Sequence, residues 1–436
     1  MVATKPPPGQ PSPLAFHSSN PSMSRTATYA ATIAFTAIVA FPNVAPLGAQ
    51  RLGPEPPRPK GVAADTNDAK AYLDYGVAAF ETDPTTAAAS FYWAARLNPG
   101  MADALYARRA ALLMTDQRLR TLYIDGGRRA RESKQLRALD SLYLRALNLN
   151  PLVYRRLDRR LLTAHIIDET ERQVRRSGGD ASRSEIDFAV ESWLKGAGPE
   201  FRGWVAYGDG RFDQALSLYA TAAKSAKFKA GFRVERGRIF GMIGQLDSAV
   251  AELRSALTEM RSRDTKDLVF FYDSKALFEH TIGTLLEQKN DLAGAREAYG
   301  KALQEDLAFY PAHQRLGMLA LGAHDTTTAL SELDLMVQLA GDEPFLRYVY
   351  GWALASAGKL PEAKEQLVKS VELEPYFALP RMALGQVYEG LRDAKNAQAA
   401  YTAYLARASQ KDPQRAYATT RLREVTDYLS VTPPKP

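Results

Sequence analysis

Gly283, Gly317, Gly351 and Gly385 recur at a constant interval of 34, and Ala295, Ala329, Ala363 and Ala397 follow them at a distance of 12. Gly203 and Gly237 repeat the spacing upstream, with Ala215 and Ala249 again 12 further on. Between Gly237 and Gly283 the interval is 46, one period plus an insertion of 12. Six units in register confine the chain to a stacked-repeat architecture, one supersecondary element copied along the sequence. Helical periodicity dominates from Ala69 onward and strand-like alternation is nearly absent, so each unit reads as two helices. Glycine inside a helix costs roughly 1 kcal/mol against alanine. Its recurrence in the first helix therefore predicts a neighbour packed too close for a side chain, and the alanine marks a second tight crossing. Turn signals lie between the two: Gly244-Gln245-Leu246-Asp247, Lys289-Asn290-Asp291, Gly358-Lys359-Leu360-Pro361 and Arg392-Asp393. Pro311, Pro344, Pro375 and Pro413 read as stops after the second helices.

This pattern resembles the tetratricopeptide repeat family. The unit from Pro344 to Phe377 matches best, with Tyr350-Gly351, Leu354, Ala363, Leu367 and Pro375. Leu384-Gly385, Tyr388, Ala397 and Tyr401 follow in the next unit, and Ile282-Gly283, Leu286, Ala295, Tyr299 and Ala302 stand in the unit from Ala276. Ala320 replaces the usual Tyr and Tyr404 the usual small residue. A degenerate first unit shows at Tyr75-Gly76, Ala88, Tyr92, Ala95 and Pro99. A second is split, with one helix near Asp103–Met114 and its mate at Leu136–Leu147. The resemblance implies an all-α, right-handed superhelical solenoid of seven to eight antiparallel helix pairs. The expected organisation is degenerate helical repeats over 69–195, two units over 196–262, an insertion over 263–275, four units over 276–411, a capping helix over 412–429 and a tail over 430–436. The insertion, with Val269-Phe270-Phe271-Tyr272, is expected to form a packed corner between two sub-arrays.

The N-terminus carries a different signal. Residues 1–22 are rich in Pro, Ser and Gly and read as an extension ahead of a start at Met23. Arg25, the uncharged apolar run from Ala27 to Phe41, and small residues up to Ala49 describe a secretory signal peptide over 23–50. The expected location is the periplasm or cell exterior. Retention in the inner membrane through 27–41 is the alternative, although the run is short for a spanning helix. Residues 51–68, with Pro54, Pro56, Pro57 and Pro59, read as an extended linker.

Little in the sequence points to chemistry. The chain has no Cys and five His, which excludes disulfides, thiolate metal sites and thiol nucleophiles. His165, His280, His313 and His324 fall in different units, and no phosphate loop, nucleophile elbow or dinucleotide fingerprint is present. No catalytic residue, cofactor or metal is therefore assigned, and the expectation is a protein without enzymatic activity. An acidic site in the irregular 103–195 region, belonging to an enzyme or a regulatory subunit, is the alternative from another class.

Binding is the stronger expectation. In the resembled family, inner-face residues of the first helix line a concave groove. Carried over by register, they are Glu200, Trp204 and Tyr207; Val234 and Arg238; and Leu277, His280, Thr284 and Glu287. Gln314 and Met318; Phe345, Tyr348 and Trp352; and Met382, Gln386 and Glu389 continue the series. Aromatics and Met there suit an extended peptide or a partner helix. The basic clamp that chaperone-docking members use is missing, because Trp204, Thr284, Met318, Trp352 and Gln386 occupy its places. A second candidate surface comes from charge. From Met101 to Arg176 there are 16 Arg and one Lys against nine acidic residues, a net of +8 where the whole chain carries +7. Arg155, Arg156, Arg159, Arg160, Arg175 and Arg176 form pairs there, suited to an anionic membrane or envelope polymer. The expected function is an exported scaffold or adaptor in cell-envelope assembly, engaging a protein segment of unknown identity in its groove. An assembly factor docked on an anionic surface through the 101–176 arginines is the rival; nucleic acid is not an expected partner.

Overall fold

The computed structural model describes residues 55–62, 65–125, 133–264 and 272–431. The leader assigned to 1–22 and 23–50, the apolar run 27–41 and residues 265–271 of the insertion lie outside the described residues. Among the described residues there are twenty helices and no strand. Helices α1 (Ala69–Ala79) and α2 (Pro84–Leu97) form the first pair, and α3 (Ala102–Thr115) packs on α2. A short α4 (Gln117–Asp125) separates α3 from its mate α5 (Lys134–Leu149). Next, α6 (Asp158–Arg176) and α7 (Arg183–Gly196) make a hairpin in which no residue between Ile166 and Ala197 is buried.

The regular array follows as pairs of a first and a second helix. These are α8 (Pro199–Gly208) with α9 (Phe212–Ser225), α10 (Ala230–Met242) with α11 (Leu246–Asp264), and α12 (Tyr272–Gln288) with α13 (Leu292–Glu305). The pairs α14 (Tyr310–Gly322) with α15 (Thr326–Leu339), α16 (Pro344–Ser356) with α17 (Leu360–Leu373), and α18 (Leu379–Gly390) with α19 (Ala394–Arg407) continue it. A closing helix, α20 (Arg415–Val431), lies on α19. The chain is thus an all-α helical-repeat solenoid, as the period requires. Across the insertion the array is continuous. Leu253, Leu257 and Met260 of α11 share one core with Leu277, Phe278 and Ile282 of α12, and the two flanking helices are lengthened.

The repeat glycines sit where the period demands contact. A Cβ at Gly385 would lie 2.5 Å from the Tyr401 ring, at Gly351 2.7 Å from Leu367, at Gly317 2.7 Å from Leu333 and at Gly237 2.9 Å from Leu253. Gly203 against Tyr219 and Gly283 against Tyr299 complete the set, so in every unit the obstructing side chain holds one fixed register position on the paired second helix. The turn between the helices is equally regular. Seven places after each glycine the backbone turns left-handed, at Gly210, Gly244, Asn290, His324, Gly358 and Arg392, with φ between 58° and 79°. Asp291, Asp325 and Asp393 then cap the second helices, each accepting from the amide of the third residue on.

The N-terminal part folds back along the array. Residues 55–62 are extended but not a free linker: the Pro56 carbonyl accepts from Trp93 Nε1 at 3.1 Å, and Arg58 lies 4.2 Å over the Trp93 ring. Asp65 accepts from Ser409 Oγ and the Gln410 amide, and Lys411 pairs with Asp68 at 2.8 Å. Arg96 pairs with Glu374, Trp93 meets Tyr376 edge-on at 5.0 Å, and Arg145 pairs with Glu343 at 2.6 Å. Asn148 donates to the Tyr310 hydroxyl at 3.2 Å. Chain order runs backwards along these contacts, so the N-terminal part braces the last three pairs.

Two substitutions test the local logic. Gly351→Ala is expected to destabilise the protein by about 1–3 kcal/mol through overpacking, whereas Gly300→Ala, in α13 with open space around it, should stabilise by roughly 1 kcal/mol. Urea melts of the two variants check this, and equal signs would refute the packing account. Arg392→Gly is expected to raise stability by about 1 kcal/mol, by removing a left-handed residue that carries a side chain. A lowered thermal midpoint would contradict the turn assignment.

Candidate protein-binding groove

The first helices α8, α10, α12, α14, α16 and α18 carry the candidate groove residues, and the structure divides them into a closed and an open half. The segment from Pro151 to Leu157, between α5 and α6, closes the first half. It buries Pro151, Val153, Arg155 and Leu157 in alternation with Leu152, Tyr154 and Arg156. The Tyr154 hydroxyl donates to the Tyr207 and Gly208 carbonyls at 3.0 and 3.1 Å, and the Arg155 amide donates to the Tyr207 hydroxyl at 3.1 Å. Leu152 packs at Gly241 beside Leu285. Trp204, Tyr207, Val234, Arg238, Leu277, His280 and Thr284 are all buried. Their assignment to an open peptide groove is corrected: this face is filled by the chain itself. Glu200 and Glu287 stay half-buried, with Glu287 accepting from the Tyr299 hydroxyl at 2.7 Å.

His280 is enclosed by the repeats themselves. Its ring lies 5.3 Å from Tyr299 and 5.6 Å from Phe309, and burial, reinforced by Arg315, pushes its pKa down to about 3. It is a neutral core side chain.

The basic segment is drawn inward as well. Arg155, expected on a basic surface, is 3% exposed and paired with the buried Glu235. Arg238 stands on the other side of Glu235 at 3.9 Å. Tyr106 Oη donates to Asp158 at 3.0 Å, and burial pushes the Asp158 carboxyl up while Arg155 and Arg109 pull it back. Arg109 pairs with Asp140 at 2.7 Å, Arg120 with Asp168, Arg159 with Asp209 at 3.2 Å and Arg160 with Glu81 at 3.6 Å. Buried charges need such partners, since desolvating an unpaired one costs several kcal/mol. Arg156, Arg175 and Arg176 remain solvent-facing, with Arg175 held to Glu171 at 3.1 Å. The acidic partners Asp158, Glu235 and Asp140 fall outside the site that sequence register and charge define. Their one signal is the density of arginines that must find counter-charges.

The second half of the groove is less covered. Phe345 meets Gly100, Tyr348 packs on Phe377 at 5.5 Å, and Met382 is buried. Glu389 accepts from Tyr401 and pairs with Arg421 of α20, which seals that end. Gln314 and Met318 are half-buried, Gln386 is exposed, and Trp352 is 42% exposed. Met318, Trp352 and Gln386 hold one register position on three successive first helices, one repeat period apart. They form an open ladder of one thioether, one indole and one amide.

No family model matches the chain. No curated protein matches it either. Among solved structures it is similar to YrrB, described as a TPR protein with an unusual peptide-binding site, at 21% identity over 48% of this chain and 100% of that one, with a TM-score of 0.38. The C-terminal part of a TPR repeat-containing protein from Cytophaga hutchinsonii gives 15% identity, 53% and 86% coverage and a TM-score of 0.43. Yeast Tom70 gives 11%, 84% and 90%, with a TM-score of 0.41. The architecture rests on this chain's own geometry: helix pairs at a period of 34, the recurring contact between glycine and second helix, and the left-handed turn at a fixed place make it an all-α helical-repeat solenoid.

Proposed function

We propose that this chain is a non-catalytic repeat scaffold that takes up an extended segment of a protein partner along α14, α16 and α18, in cell-envelope assembly or complex organisation. The observation that carries the reading is Trp352. It is a large aromatic left 42% exposed on an inner helix face, while its register equivalents Trp204 and Thr284 are buried. An indole flanked by Met318 and Gln386 offers broad contact area with few rotatable bonds, which suits an extended backbone with apolar side chains. The fold-back confines such a segment to the last three first helices, because Pro151–Leu157 already occupies the face of α8 and α10. Export is supported by the basic, apolar and small-residue succession over 23–50. Among the described residues no helix is long and apolar enough to cross a membrane.

A photo-crosslinking amino acid placed at Trp352 or at Gln386 is expected to capture the same partner peptide in cells, and one at the outward Glu365 of α17 to capture none. Equal labelling from all three positions would refute the groove. N-terminal sequencing of protein recovered outside the cytoplasm is expected to begin near Gln50; recovery only from the cytoplasm, starting at Met23, would refute export.

A further inference from the structure

Where the two ends of the chain meet, arginines converge on one ring. Tyr376, in the turn between α17 and α18, has the guanidinium carbon of Arg96 4.8 Å from its centroid, that of Arg407 at 4.9 Å and that of Arg58 at 5.5 Å. A ring has two faces, so at least two of these cations share one. Arg381 of α18 joins them, donating to the Phe377 carbonyl at 2.9 Å. Its guanidinium is disfavoured first by burial and then by Arg407 beside it.

Four positive charges therefore gather at one place, and the acids there pair with only one of them. Glu374 pairs with Arg96 and accepts from the Tyr376 amide at 3.1 Å. Glu55 takes Arg96 at 3.0 Å and the Tyr376 hydroxyl at 3.3 Å. Arg58 donates to neutral groups, the Thr66 carbonyl and the Tyr72 hydroxyl. Among the described residues no carboxylate lies within ion-pair distance of Arg58, Arg381 or Arg407. Four guanidinium groups against two carboxylates leave two positive charges at the site, and the three arginines without a carboxylate are half-buried and within reach of solvent. Like charges held together on a rigid aromatic are costly in isolation. They become favourable when a doubly charged oxyanion bridges them, since guanidinium groups chelate such oxygens through parallel N–H donors.

We propose that Arg58 and Arg407, set over Tyr376, and Arg381 on the adjoining turn of α18 form a binding site for a phosphoryl dianion. The site is separate from the peptide groove and joins the two ends of the chain. Arg58 comes from the N-terminal segment, while Arg381 and Arg407 come from the last repeat. An anion bound between them would tie the fold-back shut, so occupancy and closure are one equilibrium. The recognised chemistry is the phosphoryl group, whether carried by a soluble ester or by a lipid headgroup.

The test is a calorimetric titration of the full chain with inorganic pyrophosphate at low ionic strength, with thermal melts of the same samples. Saturable one-to-one binding and a rise in melting temperature are expected for the unaltered protein. Arg381→Gln with Arg407→Gln is expected to weaken binding at least tenfold, yet to melt no lower than the unaltered protein when pyrophosphate is absent, because like-charge repulsion is relieved. No saturable binding, or binding unchanged in the double variant, would overturn the site. A double variant that melts lower without pyrophosphate would show that the arginines serve only to pack Tyr376, and would overturn it too. Once binding is seen, flotation with vesicles of phosphatidic acid in phosphatidylcholine assigns the source: co-flotation lost in the double variant means a headgroup, and its absence means a soluble ester.

Discussion

The contact between a glycine on each first helix and one side chain at a fixed register on the second is the constraint on which the rest of the structure depends. Without a Cβ at that point, the two helices approach closely enough for Tyr or Leu to lie against bare backbone. The same contact recurs in every unit, and a recurring contact is what allows units to stack. The left-handed residue in the turn fixes the connection, so a short link returns the chain at the same angle each time. Glycine's cost in helix propensity is roughly 1 kcal/mol. Burying a Leu or Tyr against the partner helix contributes about 1.5–3 kcal/mol, so the exchange is favourable in each unit and repeated along the array.

A solenoid built this way leaves its inner face lined by first helices, and the N-terminal part of this chain uses that face. The braces are mostly charged or aromatic rather than aliphatic: Arg96 with Glu374, Arg145 with Glu343, Arg155 with Glu235 and Trp93 with Tyr376. Oil-like packing would be indifferent to register along a repetitive surface, since neighbouring units present similar apolar groups. A buried ion pair is not indifferent. Arg155 displaced by one unit would lose Glu235 and leave a charge desolvated at a cost of several kcal/mol. Three arginines of the 101–176 stretch serve this register, Arg145 with Glu343, Arg155 with Glu235 and Arg159 with Asp209, while Arg109, Arg120 and Arg160 pair inside the N-terminal part.

That distinction also separates what was legible in the sequence from what was not. Helix pairs, their period and the tight crossings were legible, because each is set by contacts inside one unit and recurs. The turn was legible at Gly244, Asn290, Gly358 and Arg392-Asp393, and hidden at His324, whose side chain does not announce a left-handed backbone. The fold-back had no periodic signature. It rests on single matches between distant parts of the chain, such as Arg145 with Glu343, and no local pattern records them. So His280 and Trp204, placed on an open face by register, proved to be core, while Trp352 at the same register stayed exposed.

Closure has a direct bearing on recognition. A fully open array would present six first helices to a ligand, and affinity would rise with each one engaged. Here the inner faces of α8, α10 and α12 are buried, so the proposed segment would have only the span of α14, α16 and α18. Ordering an extended segment costs about 1–2 kcal/mol per residue in backbone entropy alone. A short groove therefore selects partners that concentrate their contacts in a few side chains, and the single exposed indole of Trp352 fits that demand. The other end of the fold-back, through Trp93 and residues 55–62, brings Arg58 to the Tyr376 ring that Arg407 also covers.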